Sequence, residues 1–180
     1  MSPHAPPLLI LTGPPGAGKT TVARRLADAC DVASVHLHTD DFFAAIRKGA
    51  IAPWLPESNA QNTTVSRAIA AAGFAFARDG YAVIVDGIIG PWFLDIYRDE
   101  ADALQIALDY VVLRPERTAA VARARDRVET PLKDYPPHIF EGFSELGALE
   151  RHVISVGDLS AQAVAQAVRS GVDAGRFRLG

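Results

Sequence analysis

The sequence predicts an α/β fold, a three-layer sandwich in which a five-stranded parallel sheet carries helices on both faces. Three observations lead to this prediction. Short apolar runs alternate with longer segments of helical periodicity along the chain. Runs such as Leu8–Leu11 and Ala82–Val85 contain no polar residue, which is typical of strands buried on both faces. Polar clusters follow these runs directly, where parallel strands form a common binding edge.

The first half of the chain predicts three strands and three helices. The segments that predict strands are the apolar runs Leu8–Leu11 and Ala82–Val85 and the alternating segment Val35–His38. The segments of helical period are Thr20–Ala29, a short helix over about 41–48, and a long helix over Ser58–Arg78. An irregular segment with two prolines, Ile51–Glu57, separates the last two helices.

The second half of the chain continues the alternation. It predicts two strands, Tyr110–Leu113 and Val153–Val156. Its predicted helices are Pro91–Asp99, Pro115–Arg127, His138–Leu149 and one that Ser160 caps and that runs to Arg169. Three prolines predict a loop over Thr130–Pro137, and the tail Gly171–Gly180 is predicted to be peripheral.

The composition is that of a globular protein with one domain over residues 1–180. Of these residues 49% are hydrophobic and 22% are charged, which is enough for a buried core. A net charge of −3 without a dense basic run disfavours nucleic acid as a partner. No apolar stretch is long enough to span a membrane, and Cys30 is the single cysteine, so we expect a cytoplasmic protein, a monomer or homodimer.

A phosphate-binding loop lies between the first predicted strand and the first predicted helix. The residues fit the pattern of Gly, any four residues, Gly, Lys and then Ser or Thr, which binds nucleoside triphosphates. Glycines allow successive backbone N–H groups to face one anion, the lysine reaches the outer phosphates, and the hydroxyl ligates Mg²⁺. The residues predicted to bind the nucleotide are Gly13, Pro14, Pro15, Gly16, Ala17, Gly18, Lys19, Thr20 and Thr21.

Two aspartates and two histidines lie at the end of the second predicted strand. Phosphoryl transfer to a hydroxyl needs a carboxylate that orients the hydroxyl and accepts its proton. Asp40 is the candidate base, and the alternative is that Asp40 and Asp41 only cap the next helix. His36 and His38 share one face of the strand, and His38 is the candidate substrate contact. Core packing or a transition-metal site are the alternatives for the histidines.

Asp86 ends the third predicted strand, where phosphate-loop enzymes place an acidic residue on Mg²⁺, usually through water. We therefore predict that Thr20 and Asp86 hold the metal. The alternative is that Asp86 only forms a turn with Gly87. Gly87 and Gly90 are expected to let the chain pass close to the acceptor.

Arg123 and Arg127 are four residues apart and share one face of a predicted helix, just before the proline-rich loop. Arginines in this position can close over the nucleotide and neutralise the transferring phosphoryl group. Arg127 is the first candidate for this role and Arg123 the second. The alternative is a solvated basic face that pairs with Asp126 and Glu129.

Trp54 and the amides that follow it are candidates for the wall of a small-molecule pocket. The predicted substrate contacts here are Phe43, Trp54 and Asn62. An acceptor with an apolar or ring portion is favoured by the apolar neighbours Phe42, Phe43, Trp54 and Trp92. The alternatives are core packing for Trp54 and helix capping for Asn59, Gln61 and Asn62.

The chain resembles small P-loop kinases of the nucleoside-monophosphate-kinase-like group. The residues that carry this resemblance are Gly13–Thr20, Asp40, Asp86 and Arg127. Within that group it most resembles the chloramphenicol phosphotransferase and zeta-toxin type and uncharacterised bacterial ATP-binding kinase-like proteins. The resemblance implies the P-loop NTPase fold, ATP and Mg²⁺ as cofactors, and a mobile lid over about 123–137. It also implies that an acceptor hydroxyl binds near Asp40.

The expected activity is transfer of the γ-phosphate of ATP to a hydroxyl of a small molecule, with an antibiotic as one candidate. Polynucleotide kinases carry an arginine where this chain has Phe43, which disfavours a nucleic-acid end as acceptor. A sugar-acid kinase would need arginines for the carboxylate of its substrate, and Arg47 is the one obvious candidate. Nucleoside and nucleotide kinases, and a nucleotide-dependent switch, are the remaining alternatives.

Overall fold

Five parallel strands form the central sheet, in the order β2-β3-β1-β4-β5. The computed structural model describes residues 6–115 and 137–180. The sheet and the helices on both of its faces confirm the predicted fold class. The strands are β1 (Leu8–Thr12), β2 (Ser34–His38), β3 (Ala82–Asp86), β4 (Leu108–Arg114) and β5 (Val153–Ser155).

Six α-helices and three short 3₁₀ segments lie in the described ranges. The helices are α1 (Lys19–Asp28), α2 (Thr39–Ala44), α3 (Asn59–Arg78), α4 (Leu94–Leu104), α5 (Pro137–Glu141) and α6 (Ala161–Asp173). The 3₁₀ segments are Pro56–Ser58, Pro91–Phe93 and Gly147–His152. Within residues 6–115 and 137–180, none of the helices combines the length and the apolar character that crossing a membrane requires.

The sheet separates two apolar cores because successive side chains of a strand point to opposite faces. Leu9 and Leu11 of β1 pack with α1 and α6, in a core that also contains Ile84 and Val111. Leu8 and Ile10 belong to the other core, with apolar residues of α3 and α4. All five residues of β1 are therefore buried, which is why this strand reads as a continuous apolar run in the sequence.

The predicted helix His138–Leu149 is present only over its first four residues and is wrong beyond Glu141. The structure has the short helix α5 and then the 3₁₀ segment Gly147–His152. Gly147 has φ = +55°, so an α-helix cannot continue through this residue. The backbone N–H of Leu146 donates to a carboxylate oxygen of Glu150 at 2.8 Å, so a side chain replaces the helical carbonyl as its acceptor.

Three other predicted helices differ in length from those in the structure. Helix α2 ends at Ala44 rather than near residue 48, because the N–H of Ile46 bonds to Phe43 three residues back and tightens the last turn. Helix α4 continues five residues past Asp99 and ends at Leu104, followed by the C-cap Gln105 with φ = +54°. Helix α6 continues four residues past Arg169, to Asp173. The predicted helix Pro115–Arg127 lies outside the described residues, apart from Pro115.

The prediction of a peripheral tail is also wrong. Phe177 is fully buried, and its carbonyl accepts the backbone N–H of Tyr110 at 3.0 Å. Arg178 donates through Nε to the buried carboxylate of Asp109 at 2.9 Å. Gly171 leaves room for the Phe177 ring, since a Cβ at that position would overlap it. The last residues therefore complete the core beside the start of β4.

We predict that Phe177→Ala lowers the free energy of unfolding by about 3–5 kcal/mol, because a fully buried ring leaves a cavity. Phe76→Ala is the matched control, since 39% of Phe76 is exposed, and it is expected to cost about 1 kcal/mol or less. Urea unfolding of both variants measures the difference. Equal losses in the two variants would show that the tail adds nothing to the core.

Candidate active site

The predicted phosphate-binding loop connects β1 to α1. Gly13, Gly16 and Gly18 have φ of +140°, +76° and +83°, a region that favours glycine. At Gly13 a side chain is also excluded by space, because a Cβ would overlap the carbonyl oxygen of Leu113. Helix α1 begins directly after Gly18, and no side chain within residues 6–115 and 137–180 caps its first N–H groups. These N–H groups and the positive end of the helix dipole can therefore hold an anion.

The charged end of Lys19 lies across this loop. Its Nζ donates to the carbonyl oxygens of Gly13 and Pro14, each at 3.0 Å. The N–H of Ala17 donates back to Pro14, which closes the turn of the loop. Pro15 is buried and Thr21 is exposed on the first turn of α1. The ammonium group is thus held at the position where the outer phosphates of a nucleotide would bind.

Asp86, the last residue of β3, is fully buried and accepts hydrogen bonds from three side chains. The hydroxyl of Thr20 donates to Oδ2 at 2.8 Å. His36 Nε2 and His38 Nδ1 both donate to Oδ1, at 2.5 and 2.9 Å. Burial alone would raise the pKa of Asp86, but the hydrogen bonds from these side chains hold that pKa well below its usual range. Asp86 is therefore ionised at neutral pH.

Thr20 and Asp86 fit the metal role that the sequence predicts for them. Hydroxyl and carboxylate oxygens are the ligands that Mg²⁺ prefers, and the two groups lie within hydrogen-bond distance of each other. In the described part of the chain, no cluster of three or more His, Cys, Asp or Glu side chains could hold a metal. His36 and His38 are instead hydrogen-bond partners of Asp86.

Asp40 lies in the first turn of α2, and 69% of its side chain is exposed. His38 Nε2 lies 3.4 Å from its Oδ2. The contact with Asp40 first, and then that with Asp86, raises the pKa of His38 to about 10, so this imidazole is protonated at neutral pH. His38 in turn lowers the pKa of Asp40, and the charge of Lys19 acts in the same direction. Asp40 is thus an ionised carboxylate within the electrostatic reach of the phosphate loop.

The alternative capping role of the two aspartates is not what the structure shows. The N-cap of α2 is His38, and none of the side chains that the structure describes caps this helix end. Asp40 and Asp41 both follow the N-cap, within the first turn, where their negative charge favours the helix dipole.

Gly87 allows β3 to end close to the start of α2. A Cβ at Gly87 would overlap the side chain of Thr39, which is buried directly before Asp40. The same contact brings the chain after Asp86 against the turn that carries Asp40. Gly87 itself lies outside the wall of the cavity described next.

A cavity of about 460 Å³ adjoins Asp40. Of the predicted substrate contacts, Asp40, Phe43, Trp54 and Asn62 line it, whereas His38 and Gly87 do not. The sequence analysis missed most of the wall, although several of these residues directly follow Asp86-Gly87 or precede α3. The other lining residues are Thr39, Pro53, Leu55, Pro56, Ser58, Asn59, Ser66, Ile69, Ile88, Ile89, Trp92, Phe93 and Ile139.

Trp92 forms one wall of this cavity and fits between two glycines. A Cβ at Gly90 would overlap its indole ring, and one at Gly142 would lie 2.9 Å from it. The ring of Phe143 supports it, with the ring centres 6.0 Å apart. The glycine at position 90 is therefore required by the tryptophan two residues later.

The amides after Trp54 hold the opposite wall in place. Gln61 bonds to both the N–H and the carbonyl oxygen of Ile51, at 2.8 and 2.7 Å. The Nδ2 of Asn62 donates to the carbonyl oxygen of Pro53 at 2.7 Å. These bonds tether the irregular segment that carries Trp54 to the first turn of α3. Both amides thus bond to the loop, and no side chain caps α3.

Arg123 and Arg127, the candidate arginines of the lid, lie outside the described residues. So does the predicted lid over 123–137, apart from Pro137, which begins α5.

The sheet order, the glycine loop before α1 and the buried Asp86 beside Thr20 define the P-loop class of α/β proteins. The chain belongs to the AAA domain family, whose model matches residues 8–141. Among curated proteins, no sequence matches the chain.

Several solved structures share this fold. The APS kinase of Mycobacterium tuberculosis, in complex with AMPPNP and APS, has a TM-score of 0.74 at 17% identity, over 95% of this chain and 99% of that one. A gluconokinase from Sinorhizobium meliloti has a TM-score of 0.67 at 18% identity, over 96% of this chain and 94% of that one. The tunicamycin resistance protein of Deinococcus radiodurans has a TM-score of 0.68 at 16% identity, over 93% of this chain and 95% of that one. At these identities the likeness shows the fold.

We predict that the stability His38 contributes depends on pH. The pKa of His38 is raised from 6.5 to about 10 in the folded protein. Its contribution is therefore complete below pH 6.5 and is lost as the pH rises towards 10. The difference in free energy of unfolding between the wild type and His38→Gln is expected to shrink by on the order of 2 kcal/mol over this range.

Urea unfolding at several pH values measures this difference. His138→Gln is the control, because it replaces a histidine at an exposed position of α5. A difference as large at pH 10 as at pH 6.5 would contradict a charged His38 between Asp40 and Asp86.

Proposed function

We propose that this protein is an ATP- and Mg²⁺-dependent phosphotransferase that moves the γ-phosphate of ATP to a hydroxyl group of a small molecule. The observation that carries the proposal is the position of Asp40. Its carboxylate lines the 460 Å³ cavity, and its pKa is lowered by His38 and by Lys19 of the phosphate loop. One ionised carboxylate thus stands between a phosphate-binding loop and a cavity large enough for a small molecule.

In the proposed reaction, Asp40 orients the hydroxyl of the acceptor and takes its proton. The acceptor oxygen forms a new bond to the γ-phosphorus, the bond from that phosphorus to the β,γ-bridging oxygen breaks, and ADP leaves. The loop amides and Lys19 hold the phosphates throughout. Mg²⁺, held by Thr20 and, through water, by Asp86, would neutralise phosphate charge. Arg127, with Arg123, is proposed to neutralise the transferring group.

The solved structures of similar fold support a small molecule as the acceptor class, since their names include a gluconokinase and an APS kinase. The tunicamycin resistance protein favours an antibiotic as one acceptor to test. A resistance-type kinase is therefore the finer form of this proposal. It agrees with the resemblance to the chloramphenicol phosphotransferase type.

A sugar-acid acceptor is less favoured by the cavity. Arg47, the one arginine considered for binding a carboxylate, is exposed and lies outside the wall of the cavity. A polynucleotide end is disfavoured as the acceptor because Phe43 lines the cavity at the position where polynucleotide kinases carry an arginine. A nucleoside or nucleotide stays among the acceptors to test, because aromatic walls also bind bases.

We predict that Asp40→Asn reduces phosphoryl transfer by about 10²–10⁴-fold, because the hydroxyl loses its base. ATP binding is expected to be unchanged, since Asp40 lies outside the loop. Asp41→Asn is the matched control, because this neighbour is exposed and does not line the cavity. ADP release in the presence of a panel of hydroxyl compounds, with calorimetric titration of a nonhydrolysable ATP analogue, measures both properties.

The same assay separates an acceptor kinase from a nucleotide-dependent switch. A kinase releases little ADP until its acceptor is present, whereas a switch hydrolyses ATP slowly whatever compound is added. Full activity of Asp40→Asn with a genuine acceptor would refute the mechanism. Acceptor-independent hydrolysis that the panel never stimulates would refute the kinase activity.

A further inference from the structure

The wall of the cavity beside Asp40 is mainly apolar. Aromatic and aliphatic side chains such as Trp54, Leu55, Ile69, Ile88 and Trp92 face it from three segments of the chain. Its volume of about 460 Å³ lies within the range of small-molecule sites. A ligand that fills it must therefore bury an apolar surface.

The charge of the cavity is as informative as its apolar character. Among the described residues that line it, Asp40 is the one ionisable side chain. A carboxylate, phosphate or sulfate on the ligand would meet the negative charge of Asp40 and would find no cation in this part of the wall. Burying an unpaired charge is costly, so the wall favours a ligand without negative charge.

Asn62 adds a specific polar feature to this apolar wall. It is 8% exposed, and its Nδ2 donates to the carbonyl oxygen of Pro53 at 2.7 Å and to Ser58 Oγ at 2.9 Å. These two acceptors fix which end of the amide is the nitrogen. The Oδ1 is buried and has no hydrogen-bond partner in residues 6–115 and 137–180. A buried carbonyl oxygen without a partner is rare in folded proteins.

We propose that the acceptor of this enzyme is an uncharged, largely apolar molecule that donates a hydrogen bond from an N–H or O–H group to Oδ1 of Asn62. That this ligand is the acceptor of a phosphoryl group rests on the proposed function. The inference adds the substrate class and a residue that recognises it. Asp40 receives the hydroxyl that is phosphorylated, and Asn62 binds a second donor group of the same molecule.

Two fluorescent compounds test the charge preference without ATP. N-phenyl-1-naphthylamine is uncharged, and 8-anilinonaphthalene-1-sulfonate has the same rings with an added sulfonate. The chain has two tryptophans, and both line the cavity, so quenching of tryptophan emission reports binding there. The variants Trp54→Phe and Trp92→Phe each keep one tryptophan, so they show which of the two is quenched.

The neutral compound is expected to bind about tenfold more tightly than the sulfonate, because the sulfonate finds no cation in the cavity. Equal or tighter binding of the sulfonate would overturn the proposal. So would the absence of quenching by either compound up to its solubility limit, because the cavity would then not be an apolar binding site.

A third compound tests Asn62. In 1-phenoxynaphthalene an ether oxygen replaces the N–H of N-phenyl-1-naphthylamine. The wild type is expected to prefer the amine by about fivefold, and Asn62→Leu is expected to lose this preference. Thr64→Leu is the matched control, since Thr64 is exposed on the same helix and outside the cavity wall. Asn62→Asp keeps an acceptor oxygen and loses the amide donors, so it is expected to retain the preference.

Because the preference is a ratio of two affinities within one variant, a general loosening of the segment around Pro53 largely cancels. No preference in the wild type, or an unchanged preference in Asn62→Leu, would remove Asn62 from the recognition of the ligand. The outcome of these binding measurements does not depend on the outcome of the kinase assay. If they succeed while the Asp40→Asn result fails, the cavity binds a neutral ligand without phosphorylating it.

Discussion

The structure depends on the burial of one carboxylate. Asp86 is fully buried at the end of β3, and a buried charge is tolerated when both of its oxygens are hydrogen-bonded. The donors come from β2, as His36 and His38, and from the first turn of α1, as Thr20. To satisfy Asp86, these elements must therefore meet in one register. The residue proposed to hold Mg²⁺ is thus also the residue that positions the phosphate-binding loop against the sheet.

The same network determines the state of Asp40. His38 lies between the two aspartates, and the raised pKa of its imidazole keeps it positively charged at neutral pH. That charge lowers the pKa of Asp40 and keeps it ionised, which its proposed role as a base requires. Gly87 completes the geometry, because only a residue without a side chain lets the chain after Asp86 contact Thr39. His38 therefore links the ionised state of Asp40 to the buried Asp86.

Local sequence patterns were sufficient for the sheet and the phosphate loop, because β1 is apolar on both faces and the loop needs glycines at fixed positions. They failed where a distant or unusual contact decides the structure. Gly147 and Glu150 interrupt a helical pattern between residues 138 and 149 that periodicity alone supports. Phe177 gives no local sign of being buried against β4. Ile139 of the cavity wall comes from a segment distant in the sequence and could not be predicted. The wall residues that could be predicted are Asp40, Phe43, Trp54, Asn59, Asn62 and Trp92.

The candidate site joins two regions that rely on different physics. Hydrogen bonds of Lys19, Asp86 and His38 form a polar region around the phosphate loop. The cavity on the other side of Asp40 is built from aromatic and aliphatic side chains, and Trp92 keeps its place there because residues 90 and 142 are glycines. Apolar burial gives affinity without direction, so orientation must come from few polar groups. Asp40 and Asn62, on separate helices, are two points that can fix how a ligand lies. A molecule held at both points would present one hydroxyl to the phosphate loop.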